Sequence, residues 1–193
     1  KNCPFGAITD RSQIVRVIGS IKSEEPTVAC FAPAAEGHFG TADAGKLKNA
    51  LRELGFTDAL EVSLGADAVA SHEARELQES VAGGRKMTTS CCPAFVELIE
   101  KHYPKLKELV SHTVSPMTAA ARYIRQNNPG AKVVFIGPCV AKKNEIQKRA
   151  ESADYVLTFE ELTAMFAALG IDPETMESDG QDGSLAGKGF AQS

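Results

Sequence analysis

The chain has 193 residues, 25 acidic against 21 basic side chains and a formal net charge of −4 at pH 7. With 43% hydrophobic and 24% charged residues it can bury the core of one full domain, which excludes a disordered tail and a membrane span. The mild acidity is spread along the chain, without the basic stripe that a phosphate backbone demands, so nucleic acid is not an expected partner and neither is a membrane.

In chain order, apolar runs too short for helices and rich in Val, Ile and Phe predict buried strands at 27–32, 59–63, 132–136 and 155–158. Met87 to Ser90 reads as a further strand end. Helical patterns lie between them. Leu47, Leu51 and Leu54 recur at helical spacing and stop at Gly55; Leu162, Met165, Phe166 and Leu169 do the same and stop at Gly170. Strands alternating with helices predict an α/β fold, a largely parallel sheet flanked by helices. In such sheets ligands gather beyond the carboxyl ends of the strands, which points to the loops after Ala32, Ser90 and Ile136. From Asp172 to Ser193 the chain is Gly-rich, acidic and aperiodic, and reads as a flexible or truncated edge.

Five cysteines, at 3, 30, 91, 92 and 139, make an odd count with an adjacent pair, and no apolar leader precedes them. That pattern disfavours a secreted disulfide framework and predicts a reducing, cytoplasmic setting, where unpaired thiols pack, react or bind metal. Because the first residue is Lys1 and a cysteine follows at position 3, the chain is expected to begin inside something larger. Cys30 lies in an apolar run and reads as core. The four histidines have no mutual ligand spacing, while Lys46, Lys48 and the charges from Lys101 to Glu108 read as solvated helix faces.

Two segments carry the chemistry. Thr89-Ser90-Cys91-Cys92-Pro93-Ala94-Phe95 places two thiols before a proline at the first position of an amphipathic helix, whose dipole favours a thiolate. Val133 to Glu145 repeats the pattern of strand, turn and Cys139, with Lys142 beside it. Cys92 and Cys139 could share a metal or cluster, but two thiolates do not complete such a site, and no CxxC supplies the rest. Glu73 and Glu76, at i and i+3, read alone as solvated glutamates.

These residues resemble the iron-only (FeFe) hydrogenases. Thr89 to Phe95 is similar to the first of that family's three signature segments and Gly137 to Glu145 to the second, while Asn2-Cys3-Pro4-Phe5-Gly6-Ala7-Ile8 looks like the end of a bacterial ferredoxin domain. Ala32-Pro33, Ser115-Pro116 and the Val156-Leu157-Thr158 strand extend the likeness over nearly the whole chain. Ala94-Phe95 stands where many members have Gly-Trp, and Gly137 where many have Met, which suggests a divergent subgroup. The third signature segment does not occur before Ser193, so the resemblance implies a fragment.

The resemblance implies residues 1–22 as the remnant of a 4Fe-4S ferredoxin-like domain and linker helix, 23–171 as the N-terminal part of the catalytic domain, and 172–193 as its edge. It further implies reversible reduction of protons to dihydrogen at a 4Fe-4S cluster joined to a diiron subsite with CO, cyanide and a dithiolate amine. Cys92 and Cys139 resemble cluster ligands, Cys3 an accessory-cluster ligand, and Cys91 the thiol that passes protons. Lys142 resembles the lysine facing a cyanide, Ala32 and Pro33 line the diiron pocket, and Glu73, Glu76 and Ser111 resemble the proton relay. Implied partners are ferredoxin or another electron carrier and the rest of the catalytic domain, whereas the isolated chain is expected to be inactive. An alternative of another class is a hydrogenase-like iron-sulfur sensor or cluster-assembly protein without turnover, against which the retention of Cys91 argues. A third is a thiol oxidoreductase or plain metal-binding module.

Overall fold

The computed structural model describes residues 4–5 and 10–179. Four strands, β1 (Thr27–Phe31), β2 (Asp58–Glu61), β3 (Lys132–Gly137) and β4 (Tyr155–Thr158), form one sheet in the order β2-β1-β3-β4 with every pair parallel. The helices are α1 (Ile14–Ile21), α2 (Ala44–Glu53), α3 (Ser63–Ala82), α4 (Pro93–His102), α5 (Pro116–Asn127), α6 (Lys142–Lys148) and α7 (Phe159–Leu169). None of the described helices is long and apolar enough to cross a membrane.

Alternation along the strands explains why both faces are covered. Ala29 and Phe31 of β1 face a core built with Val17 of α1, Leu51 of α2 and Leu162 of α7. Val28 and Cys30 face the opposite core, with Met117, Ala121 and Ile124 of α5. Cys30 is completely buried, and that burial pushes its thiol up to about 12, so it is a packing residue and no thiolate. Over α5 lies α3, drawn close at Gly65, where a Cβ would stand 2.5 Å from the Pro116 carbonyl oxygen. The predicted helix stops hold: Gly55 follows α2 with φ 110°, and Gly170 caps α7 with φ 69°.

The structure also corrects the sequence reading. The second strand ends at Glu61, because Val62 already has helical dihedrals and Ser63 opens α3. Met87 to Ser90 does not enter the sheet: Thr88 forms only an isolated bridge with Val110, donating its N–H to Leu109 and accepting from Ser111. This stretch is polar, and Thr89 and Ser90 bond to the Glu73 carboxylate and the Thr113 carbonyl instead of to a neighbouring strand. Residues 172–179 of the expected edge pack back against the segment from Thr41 to Arg52. Glu174 accepts from Thr41 N–H at 2.6 Å and Thr41 Oγ1 at 3.0 Å, and the Lys46 ammonium donates to the Glu174 carbonyl at 2.8 Å. Asn49 donates to the Glu177 carbonyl, and Arg52 pairs with Asp179. Since the chain returns across α2 in this way, Lys48 is buried rather than solvated. Residues 180–193 of that expected edge lie outside the described residues.

Candidate active site

The sheet places its loops where the topology requires, beyond the carboxyl ends of β1 and β3. β1 runs into Ala32, whose N–H still donates to the Ile136 carbonyl at 2.8 Å, and the chain then turns through a short 3-10 segment at Pro33–Ala35. β3 ends at Gly137, and Pro138 and Cys139 follow directly before α6. A Cβ at Gly137 would lie 2.7 Å from the Phe135 ring, so the ring fills the space beside this backbone. Between the loops opens a mostly apolar cavity of about 220 Å³, walled by Ala32, Pro33, Cys91, Met117, Cys139 and Lys142 among others. Five of the expected site residues therefore meet in one place.

Cys91 and Cys92 arrive from outside the sheet. Cys92 is the N-cap of α4 with Pro93 next to it, and it is exposed, whereas Cys91 and Cys139 are half-buried. The bonds that hold this arm come from α3. Glu73 accepts from Thr89 Oγ1 at 2.8 Å and Ser90 N–H at 3.2 Å, and the Cys91 N–H donates to Thr89 Oγ1 at 3.3 Å. One turn on, Glu76 accepts from Ser111 Oγ at 2.6 Å, His112 N–H at 2.9 Å and Thr113 Oγ1 at 3.1 Å. Burial works against the Glu76 carboxylate, but the Ser111, His112 and Thr113 bonds outweigh it and hold its pKa below the ordinary value. The two glutamates are thus bound to the thiol-bearing arm and are not merely solvated.

The second signature segment reaches the first through Lys142, whose ammonium donates to the Cys91 carbonyl at 3.3 Å and to Glu145 Oε2 at 2.6 Å. Glu145 Oε1 in turn accepts from Ser115 Oγ and from Thr118 Oγ1. Glu145 and Ser115 are buried residues beside the site that the sequence likeness includes but to which sequence reasoning gave no role. The available signals were local: Glu145 follows Lys142 at helical i, i+3 spacing, and Ser115 stands before Pro116 as an N-cap. The adjacent Lys143 turns the other way, to Asp10 at 2.6 Å, Glu161 at 2.8 Å and the Arg11 carbonyl at 3.2 Å.

Among the described residues no three His, Cys, Asp or Glu side chains are gathered closely enough to hold a metal ion. Cys3 lies outside the described residues. What the arrangement offers is a pair of thiols and one ammonium around an apolar cavity, with a carboxylate network on the adjoining arm.

Comparison with known proteins gives this geometry a context. Residues 25–193 match the family described as iron only hydrogenase large subunit, C-terminal domain. The chain is 31% identical over 218 aligned positions to iron hydrogenase 1 of Clostridium pasteurianum, an alignment covering 96% of this chain and 37% of that protein. It is 30% identical over 167 positions to the periplasmic Fe hydrogenase large subunit of Nitratidesulfovibrio vulgaris, covering 77% of this chain and 39% of that one. In fold it resembles an apo FeFe-hydrogenase HydA1 variant from Chlamydomonas reinhardtii, with a TM-score of 0.81 at 23% identity over 92% of this chain and 52% of the other. The chain therefore spans less than two-fifths of the curated relatives and about half of that structure.

Proposed function

Because this chain belongs to the iron-only hydrogenase large-subunit family through residues 25–193, we propose that it forms part of an enzyme that interconverts protons and electrons with dihydrogen. The observation that carries this reading is the cavity at the strand ends, where Cys91, Cys139 and Lys142 converge with Ala32 and Pro33. A half-buried ammonium beside thiols and apolar walls suits an anionic, water-excluded metal assembly. The donor set fits in part: Cys92 and Cys139 would supply two thiolates, and the remaining ligands would come from chain outside the described residues. When bound, a 4Fe-4S cluster joined to a diiron subsite with CO, cyanide and a dithiolate amine supplies the redox chemistry.

The chain's own residues ligate, orient and move protons. Cys91 borders the cavity and holds the exchangeable proton on its thiol, while its carbonyl engages Lys142. Glu73, bound to the arm through Thr89, and Glu76, bound to Ser111, form the outward continuation toward solvent. Glu76 accepts from the Ser111 and Thr113 hydroxyls, the kind of hydrogen-bonded step along which a proton can be passed. Union of this network with a cavity-lining thiol supports turnover over a sensor or assembly role. Electrons would arrive from ferredoxin or another carrier, by way of an accessory cluster that Cys3 helps to hold, in a cytoplasmic setting.

The test is anaerobic loading of the intact protein, of which this chain would form part, with the mature cofactor, followed by iron analysis and hydrogen evolution. Cys91→Ala is expected to keep its iron and lose nearly all turnover, whereas Cys92→Ala loses the iron. Loss of iron from Cys91→Ala, or unchanged turnover in it, would refute the assignment. The 193-residue chain by itself is expected neither to complete the cluster nor to turn over, and sustained turnover from it would overturn the ligand set proposed above.

A further inference from the structure

A single ammonium borders the cavity among side chains such as Val62, Ala66, Met117 and Phe135, and a charge in such a setting is costly unless it is paired. Its pair is Glu145, only 7% exposed, whose carboxylate is held from behind. Ser115 Oγ and Thr118 Oγ1 both donate to Oε1, and the Thr118 hydroxyl is also within 3.0 Å of Ser152 Oγ. Ser115 is moreover the N-cap of α5, whose first two residues, Pro116 and Met117, line the same cavity. The carboxylate is therefore fixed behind Lys142, the cavity-lining residue, and does not swing with a surface side chain.

A lysine ammonium has three N–H groups. One goes to Glu145 Oε2 and one to the Cys91 carbonyl, which leaves the third for the cavity that the side chain lines. We propose that Glu145, fixed by Ser115 and Thr118, is the positioning residue that aims the Lys142 ammonium into the cavity, so that it sets how firmly the cavity holds an anionic group. This inference rests on the function proposed above only for the identity of that group. Lys143, adjacent in sequence and on the same short helix, shares no partner with Lys142 in the described contacts and is buried against Asp10 and Glu161 instead. It therefore serves as an internal control: a change confined to the Glu145 pair moves Lys142 alone, and loss of α6 moves both.

The experiment has two arms. In the first, the 193-residue chain is acylated under native conditions and labelling is followed lysine by lysine by mass spectrometry. Glu145→Gln is expected to speed the labelling of Lys142 roughly tenfold while Lys143 keeps its original rate, with a smaller rise at Lys142 in Ser115→Ala. Glu145→Asp, which keeps the charge, should recover part of the protection. Equal acceleration at both lysines, or none at Lys142, would overturn the positioning role. In the second arm the intact protein, loaded with the cluster, is read by its cyanide infrared bands. Glu145→Gln should shift them in the same direction as Lys142→Met and by less. Bands moved by Lys142→Met but not by Glu145→Gln overturn the proposal; bands unmoved by Lys142→Met overturn the reading of the cavity and leave the labelling arm to decide the positioning role.

Discussion

The two loops that bring thiols to the cavity are held by different means. Cys139 follows the sheet: β3 lies between β1 and β4, its residues from Val133 to Gly137 are buried, and the loop inherits the rigidity of two parallel ladders. Cys91 and Cys92 follow no strand. Their arm is tied to the rest by one isolated bridge, by the carboxylates of Glu73 and Glu76 reaching out from α3, and by the Lys142 ammonium on the Cys91 carbonyl. One side of the site is thus set by packing and main-chain hydrogen bonds, and the other largely by side-chain bonds of ionisable groups. Glu76, proposed above for proton movement, also helps to place the arm, so protonating it should loosen the geometry it serves.

That contrast can be broken at three points. The largest effect is expected on the sheet side: Ile136→Ala, at a completely buried position of β3, should cost about 2–5 kcal/mol in urea unfolding and lower the stability of the whole domain. An effect under about 1 kcal/mol would show that β3 is a weaker scaffold than its burial implies.

Next in size, Glu76→Gln should cost about 1–2 kcal/mol, since the amide keeps only part of the hydrogen bonding to Ser111, His112 and Thr113. The damage should be local, with amide exchange rising at residues 111–113 and around Thr88 and hardly changing in β3. The folded pKa of Glu76 lies below the ordinary 4.5, so its contribution is complete above that value and fades as pH falls through the lower folded pKa. Glu76→Gln should flatten this acid limb of the stability curve; an unaltered limb would mean that other carboxylates govern it.

The smallest effect concerns the link between the two sides. Glu97 of α4 pairs with Lys148 of α6 at 2.7 Å and with Lys101 at 3.1 Å, and these partners hold its pKa at about 2. The pair is near solvent, so Glu97→Gln should change stability slightly, and only at low salt. Because the folded pKa is depressed, the difference should persist above pH 4.5 and disappear as pH falls toward 2. A difference that survives in high salt would indicate that the link is more than a surface ion pair.

The strands, the two Leu-rich helices and their glycine stops were legible in the amino-acid sequence because each is encoded within a few residues, by β-branched runs, by helical spacing and by the conformational freedom of Gly55 and Gly170. Cys30 was legible for the same reason, as one apolar residue in an apolar strand. The signature segments identified which thiols and which lysine to examine, and Ala32, Pro33, Cys91, Cys139 and Lys142 do share one cavity.

What only the tertiary structure decided was which polar groups meet across distance. Met87 to Ser90 is left outside the sheet and bound by Glu73, which reaches it from α3. The segment 172–179 returns to α2 across more than a hundred residues. Consecutive lysines point to opposite sides, Lys142 to Glu145 and the cavity, Lys143 to Asp10 and Glu161. Local sequence determines backbone conformation through short-range sterics and apolar periodicity. The partner of a buried charge is instead chosen by where the folded chain brings an opposite charge out of water, and no spacing within one element records that choice.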